Sequence, residues 1–502
     1  MTEEETRKLQ SDFLELQKAF RELKTAYSAL QERVKQQEER IEELSLQLLK
    51  ERLRNLELEK RLGKDSHNSS KPPSSDGYKR QQKRREKSKK SSGGQSGHSG
   101  HQLAQVETPD EVVEHRATHC QRCQSFLPQT GGVVKERRQL HELPPLHLRV
   151  TEHQQVEQIC SGCGACTTGD FPTGVEAAAQ YGPNVRALAV YLSQFQLLPL
   201  ERISELFADL HLGTVSEGSI VNWVREAAKH LTPTQQTLER VLLQSRYTHV
   251  DETGGRIEGI LHWFHVVSTR YLTSYHWHRK RGHEAMQEIG LLPNYHGRLI
   301  HDRWKSYDQY GCEHSLCGAH LLRDCVSVAE QEGEPWAAEM YTVLFELSEH
   351  VKQARASSQK ALAPEIRANG LAQYFEVLEH GYHAWNQTHP PPDPFHPRKR
   401  GRPKQDPSKN LLDVFLHRAD QVLAFVDDLM VPFTNNQAER DLRMIKVQQK
   451  ISGTFRSDVG ATSFCTIRSY LSTMRKQGHS MLDALAAVFQ GSPLPIAWEP
   501  GS

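Results

Sequence analysis

Three acidic side chains follow a spacing that could hold divalent cations. Asp251 ends the short β-favouring run RYTHV, and Asp302 ends a second apolar run, GRLIH. Glu439 lies in PFTNNQAERDLRMIKVQQKISG, where Asn435 or Asn436 could begin a helix. A sheet can hold two carboxylates side by side while a packed helix supplies a third, and such hard oxygen ligands suit Mg²⁺ or Mn²⁺. The pattern therefore predicts that Asp251, Asp302 and Glu439 form a metal centre for phosphodiester displacement.

The predicted helix around Glu439 presents two different faces. Its buried stripe should consist of Ala438, Leu442 and Ile445. The basic residues on the face next to Glu439 are Arg443, Lys446 and Lys450. A carboxylate followed by a basic track suits a metal with a DNA backbone running past it, so we expect these cations to bind DNA. Glu252 and Asp441 lie beside the predicted metal ligands in the sequence but should point elsewhere.

Two C-x-x-C pairs lie in residues 106–175 and are typical of a structural zinc site. The predicted zinc ligands are Cys120, Cys123, Cys160 and Cys163. The segment between the pairs has strand-like character and should join them as a β-hairpin. Cys166 and His119 are alternative ligands, and a chance clustering of reduced thiols is the alternative to zinc.

A second group of cysteine and histidine residues lies behind Asp302. It consists of Cys312, His314, Cys317 and His320. These ligand types could bind a second zinc ion. The other interpretation, which we favour slightly, is packing, or contact of His320 and Arg323 with DNA.

The N-terminal part of the chain carries two segments of different character. Residues 1–62 keep a 4-3 spacing of apolar residues, which predicts a coiled coil and therefore a partner helix, such as that of a second copy. Residues 63–105 are rich in Ser, Pro, Gly and Lys, which predicts a disordered linker. Within it, residues 79–90 hold eight Lys or Arg against one Glu, so they should contact phosphates or act as a solvated spacer.

The remaining segments complete a modular plan. Residues 176–240 read as helices with a glycine-containing turn, the outline of a helix-turn-helix DNA-binding domain or of any helical hairpin. Ser216 is the expected N-cap of the last helix. Residues 241–490 begin with strands and should form the catalytic domain, interrupted at about 325–430 by a helical insertion.

A basic loop ends that insertion. Its KRGRPK sequence contains Arg400 and Arg402, which could enter an A·T minor groove or belong to a plain basic loop. The net charge of +1 carries little information because the charge is unevenly distributed. The charged N-terminus has no apolar region typical of a signal peptide, and there is no apolar run of membrane-spanning length. We therefore expect no membrane association and a cytoplasmic location.

Several motifs resemble one family in order along nearly the whole chain. They are HNSSKPPSSDG, the two C-x-x-C pairs, DETGG, HD-x-W-x-x-Y, HSLCGAHLLRD, and PFTNNQAERDLR-x-x-K followed by KISGTFRS. This set resembles the insertion-sequence-66 family of bacterial transposases. The resemblance implies an RNase H-like α/β core in which Asp251, Asp302 and Glu439 are the DDE triad. The HDRW sequence departs from the small residue expected after the second aspartate, which affects the local contacts.

The resemblance implies a DNA transposase that binds terminal inverted repeats and catalyses strand cleavage and strand transfer. It also implies action at the bacterial nucleoid, with small accessory proteins of the same element as partners. Two alternatives stay open at this point. One is a non-catalytic, zinc-containing DNA-binding protein, and the other is an RNase H-like nuclease that does not join strands.

Overall fold

The computed structural model describes residues 103–128, 130–389 and 405–498, with six isolated positions before residue 50. The expected coiled coil, the basic run 79–90, Arg400 and Arg402 lie outside these ranges. The described chain divides into two compact units. The first unit contains Tyr247–Val250 and His296–Gln437. The second unit contains the described residues up to Arg246, then Asp251–Tyr295 and the C-terminal part from Ala438.

The second unit begins with residues 103–175, which contain little regular secondary structure. Strand β1 (Glu157–Ile159) pairs antiparallel with β2 (Cys166–Thr168). The expectation that a hairpin joins the two C-x-x-C pairs is wrong, because this hairpin instead encloses the second pair. Leu140 and Val150 between the pairs are 88% exposed, so that segment has no packed face to support longer strands.

The helices expected over residues 176–240 are present, together with a fourth that extends past that boundary. They are α1 (Pro183–Val190), α2 (Leu200–Asp209), α3 (Glu217–His230) and α4 (Thr232–Leu243). Ser216 caps α3 as predicted, since its hydroxyl accepts the Ser219 N–H at 3.1 Å. Apolar residues of α1 and α3 share a core with residues near the C-terminus.

Three strands continue the second unit. They are β3 (Tyr247–Ile257), whose first four residues belong to the first unit, β4 (Ile260–Ser268) and β5 (Thr273–His278). The DETGG segment lies inside β3 and does not follow it as a turn. The turn to β4 is instead formed by Glu258 (φ 52°) and Gly259 (φ 79°). Two successive left-handed residues match the twist of paired strands, which favours this two-residue connection.

The strands of the first unit pair in parallel. Strand β6 (Arg298–His301) pairs with the start of β3, with His249 opposite Ile300, and also with β7 (Glu313–Leu316). Neighbouring strands of the sheet follow the order β5-β4-β3-β6-β7. Because β4 and β5 are antiparallel, the sheet is mixed. The mixed sheet and its surrounding helices confirm the predicted α/β class.

Helix α5 (His283–Ile289) precedes β6, and a group of helices follows β7 at the position of the predicted insertion. The helices after β7 are α6 (Gly318–Gln331), α7 (Pro335–Ala356), α8 (Pro364–Thr388), α9 (Pro407–His417), α10 (Ala419–Val422) and α11 (Ala424–Asp427). Helices α6 to α11 bury one large apolar core of the first unit, which includes Trp336, Tyr374 and Phe415.

The C-terminal part of the chain is helical. Its helices are α12 (Asn436–Ser452), which begins in the first unit and continues in the second, α13 (Asp458–Lys476) and α14 (Met481–Phe489). As predicted, the buried residues of α12 are Ala438, Leu442 and Ile445. They pack in one apolar cluster with Ile257 of β3 and Phe264 of β4. Among the described residues, no helix combines the length and the apolar character that crossing a membrane requires.

Candidate active site

Asp251 lies within β3 and is partly buried. Its Oδ1 accepts the backbone N–H of Glu252 at 2.9 Å. The Glu252 side chain is 1% exposed and pairs with Arg281 at 2.6 Å. The two adjacent acids therefore have different surroundings, and the charge of Glu252 is balanced by an arginine.

Asp302 follows the last residue of β6, as the sequence predicted. Its Oδ1 accepts the Trp304 N–H at 3.0 Å, which bends the chain into a tight turn directly after the strand. Arg303 within this turn has a φ of 75°, a conformation that costs energy for a residue with a Cβ atom. An ion pair from Arg303 to Asp324 of α6 supports the turn. Arg303, which stands where a small residue was expected from the sequence, is thus held by its own partner.

His301, the residue before Asp302, forms a hydrogen-bonded relay with His314. His314 Nε2 donates to the Tyr310 carbonyl at 3.0 Å, so in the neutral ring its Nδ1 accepts from His301 Nε2 at 3.0 Å. His301 Nδ1 in turn accepts the Arg303 N–H at 3.2 Å. Burial, aided by His314 and Arg418, lowers the pKa of His301 to about 3. This relay holds the strand end from which Asp302 projects, and it was not predicted from the sequence.

The two histidines of the relay also belong to a group of side chains that could bind a metal ion. Within the described part of the first unit, His301, Asp308 and His314 place donor atoms within 4.8 Å of one another, and Asp308 is also paired with Arg418 at 2.8 Å. The four-residue group raised as a possible second zinc site, Cys312 with His314, Cys317 and His320, is not among such groups of the described residues. Cys317 is buried, and its sulfur accepts the Asn435 N–H at 3.1 Å. This contact favours the packing interpretation for Cys317.

Helix α12 is fixed against β3 near both of its ends. Before its first residue, the buried Asn435 donates from Nδ2 to the Val250 carbonyl at 2.8 Å and accepts from His249 Nδ1 at 3.0 Å. Further along, Lys446 Nζ donates to the Gly254 carbonyl. The helix and the strand therefore run in the same direction, and the fixed stretch of α12 includes Glu439 in its first turn.

Gly255 permits a close approach between β3 and the Phe264 ring of β4. A Cβ atom there would lie 2.4 Å from that ring, whereas its distance of 3.5 Å from the Ile445 side chain of α12 would be an ordinary contact. Glycine at this position therefore leaves room for the Phe264 ring.

The three cations predicted on α12 differ in their surroundings. Arg443, Lys446 and Lys450 are all exposed at the level of the whole residue. Partial burial of its ammonium lowers the pKa of Lys446, and its contact with Gly254 gives it a structural role. A direct role in binding DNA stays a prediction for all three.

The two C-x-x-C pairs adopt the same backbone conformation. Cys120 N–H donates to the Ser125 carbonyl and Cys160 N–H to the Ala165 carbonyl, each at 2.8 Å. In both loops the residue after the second cysteine is left-handed, with φ of 59° at Gln124 and 72° at Gly164. Hydrogen bonds, first among them that of Ser125, lower the pKa of Cys123 to about 7, and the Gly162 backbone contributes most to lowering the pKa of Cys160. Both loops therefore favour thiolates.

Two family models match separate parts of the chain. Residues 178–463 match the Transposase IS66 family, and residues 2–104 match a family of unknown function, DUF6444. No curated protein matches the chain. The first match covers more than half of the sequence and includes Asp251, Asp302 and Glu439. The chain therefore belongs to the IS66 family of transposases.

Proposed function

We propose that this transposase cuts DNA at the ends of its element and joins the freed strands to target DNA, with Asp251, Asp302 and Glu439 as ligands of catalytic divalent cations. The pairing of β3 with β6 carries the proposal. Asp251 stands two residues beyond His249, and Asp302 stands two residues beyond its partner Ile300. Parallel strands in this register bring corresponding side chains to the same level of a sheet.

The packing of α12 supports Glu439 as the third ligand. Asn435 is bonded to Val250, the residue before Asp251, and Lys446 is bonded to Gly254, three residues after Asp251. Glu439 lies between these two anchors on the helix. The helix from Asn435 to Lys446 and the strand from Val250 to Gly254 are of comparable length, because the rise per residue is about 1.5 Å in a helix and about 3.3 Å in a strand. Glu439 and Asp251 should therefore lie at similar heights.

The donor set fits Mg²⁺ or Mn²⁺. Carboxylate oxygens are the ligands these hard cations prefer, and all three acids are partly buried, which leaves each in reach of solvent or substrate. Bound there, such cations would activate an attacking oxygen and stabilise a leaving one. The protein's part is to hold the carboxylates in place: the Trp304 N–H orients Asp302, the Glu252 N–H orients Asp251, and the buried face of α12 orients Glu439.

The reaction we propose has two displacements at phosphorus. Water first attacks a phosphodiester at the element end, the bond from phosphorus to the 3′ oxygen breaks, and a 3′-hydroxyl is released. That hydroxyl then attacks a target phosphodiester, and the target's own 3′ oxygen leaves. Each step exchanges one P–O bond for another, and neither requires a side-chain nucleophile. The mixed sheet in the order β5-β4-β3-β6-β7 would be the RNase H-like core that supports this chemistry.

The other parts of the chain would bind DNA and assemble the complex. We propose that α1 to α4 and the cations of α12 contact the terminal inverted repeats, and that the expected N-terminal coiled coil joins two copies. Accessory proteins of the same element are further proposed partners. Action on chromosomal DNA would place the protein at the nucleoid in the cytoplasm.

The matching geometry of the two cysteine loops supports a structural zinc site as a second proposal. A residue with positive φ after each pair turns the chain so that backbone N–H groups face the sulfurs, and thiolates are the form that binds Zn²⁺. Cys120, Cys123, Cys160 and Cys163 would then fill all four positions. Such a site would be closed to water and would stabilise the fold without taking part in catalysis.

An assay of cleavage and strand transfer tests the proposed chemistry. The substrate is a duplex that ends in the element's own inverted repeat, with a supercoiled plasmid as target and Mg²⁺ or Mn²⁺ present. Asp251→Asn, Asp302→Asn and Glu439→Gln should each lower cleavage by about 10³-fold or more, since metal stabilisation is worth several kcal/mol. Their combined loss should not exceed the single losses, because they act as one unit.

The controls separate catalysis from folding and binding. Glu376→Gln, an exposed acid on α8, should cleave like the wild type. All three ligand variants should keep DNA affinity and unfolding temperature. Normal cleavage by all three would overturn the proposed site. Cleavage without joined products under every condition would instead favour a nuclease.

A further inference from the structure

A short basic segment follows β5 directly. It has the sequence HRKR over residues 278–281. Arg279 and Lys280 are exposed, whereas Arg281 is half-buried. The segment belongs to the same compact unit as Asp251.

Arg281 fastens the segment to β3. Its Nε and one terminal nitrogen both donate to Glu252 Oε1, at 2.9 and 2.6 Å. The Glu252 side chain is almost fully buried, and the guanidinium also lies over the Trp263 ring at 4.8 Å. Hydrogen bonds between ionised groups are roughly twice as strong as those between neutral groups. Arg281 is therefore an anchor within the protein.

Lys280 is held by its backbone, which leaves its side chain outside. Its N–H donates to His278 Nδ1 at 2.9 Å. Burial lowers the pKa of the neighbouring His265 on β4 to about 4, so this ring adds no charge near pH 7. The contact to His278 and the contacts of Arg281 set the conformation of the turn before any ligand arrives.

Among the described contacts, the three cations of the turn, Arg279, Lys280 and Arg281, outnumber its two carboxylates. Glu252 is paired with Arg281, and Glu288 of α5 accepts a hydrogen bond from His278 Nε2 at 2.9 Å. The anchor residue Glu252 is also the residue bonded to Asp251. Two exposed cations are therefore presented on a turn that is fastened to the residue after Asp251, whose side chain projects from the opposite face of β3.

We propose that Arg279 and Lys280 bind a backbone phosphate of the DNA strand that enters the site at Asp251. This inference rests on the proposed function for its choice of DNA as the partner. An arginine can contact two phosphate oxygens at once, and a lysine adds a point charge. Because the turn is already ordered, little conformational entropy is lost on binding. Arg279 and Lys280 are positioning residues for the substrate.

Salt dependence of binding gives the first test. Arg279→Gln, Lys280→Gln and the double variant are compared with the wild type on the end duplex across a salt series. The magnitude of the slope of log affinity against log salt should fall by about 0.9 in the double variant, which loses one phosphate contact. The double substitution Lys352→Gln/Lys360→Gln removes two exposed cations of the insertion and should leave the slope unchanged. An unchanged slope in the Arg279/Lys280 double variant would overturn the proposal.

Phosphate replacement gives the second test and locates the contact. Single neutral methylphosphonates are placed along the end duplex, one position at a time. Wild-type binding should weaken at one or two positions next to the cleaved bond, and the double variant should be insensitive there. The same profile for both proteins would also overturn the proposal. The unfolding temperature should not change, because both side chains are exposed.

The two proposals fail in different ways. If Asp251→Asn abolishes cleavage while the Arg279/Lys280 variant binds like the wild type, the active site stands and the phosphate contact falls. If Asp251→Asn cleaves normally while the double variant loses its methylphosphonate-sensitive position, the DNA contact stands and the metal site falls.

Discussion

Asp441 and Lys476 form a buried ion pair that links α12 to α13, and replacing Asp441 by Asn should destabilise the protein without removing its chemistry. The two side chains are 12% and 13% exposed, and Lys476 Nζ lies 2.9 Å from Asp441 Oδ2. The ammonium also donates to the carbonyls of Thr269 and Leu272 at 2.9 and 3.0 Å. Asp441 is two residues from Glu439 on the same helix, yet it points into the protein.

The expected loss of stability depends on which partners Lys476 keeps after the substitution. Removing one member of a buried pair costs about 3–5 kcal/mol when the other charge is left without partners. In Asp441→Asn, Lys476 keeps two carbonyl acceptors, so we expect a loss of about 2–3 kcal/mol, the strength of a hydrogen bond between charged groups. Lys476→Met removes the ammonium from the buried Asp441 carboxylate and from both carbonyls, so it should also destabilise the protein. The double variant should cost less than the sum of the two.

Thermal and urea unfolding measure the loss, and the cleavage assay gives the contrast. Asp441→Asn should lower the unfolding temperature by roughly 5–10 °C, while activity per folded molecule is retained at low temperature. Glu439→Gln should do the opposite and lose cleavage at unchanged stability. An Asp441→Asn protein as stable as the wild type would refute the reasoning. So would equal losses of activity from both substitutions.

Two further predictions concern the zinc loops and pH. Cys120→Ser should release about one equivalent of zinc and expose residues 106–175 to proteolysis, since metal binding there would be folding energy; wild-type protein purified without zinc and still protected would contradict this. Burial lowers the pKa of both His265 and His276 to about 4, so the unfolded chain takes up protons below about pH 6.5 while the folded protein does not. Stability should therefore fall between pH 6.5 and pH 4, by about 3 kcal/mol for each histidine, and urea unfolding of His265→Gln/His276→Gln should show a flatter pH profile than the wild type.

The sequence by itself determined the features that depend on local pattern. The buried stripe of α12, the Ser216 cap and the strand that ends before Asp302 all follow from residue types a few positions apart. Helical and strand periodicities are written into neighbouring residues, so no distant contact is needed to predict them. The order of motifs along the chain likewise indicated the family that the match over residues 178–463 shows.

Only the tertiary structure decided what depends on residues far apart in the chain. Strand β3 runs past Asp251, where the sequence predicted its end, to Ile257, and the turn to β4 lies at Glu258 and Gly259. Asn435 was expected only as a possible helix start, but it fastens α12 to β3 across 185 positions. The partners of His301, Glu252 and Asp441 were equally invisible in the sequence. Which polar groups meet in a core depends on how the strands and helices pack, and a pattern of neighbouring residues carries no record of that packing.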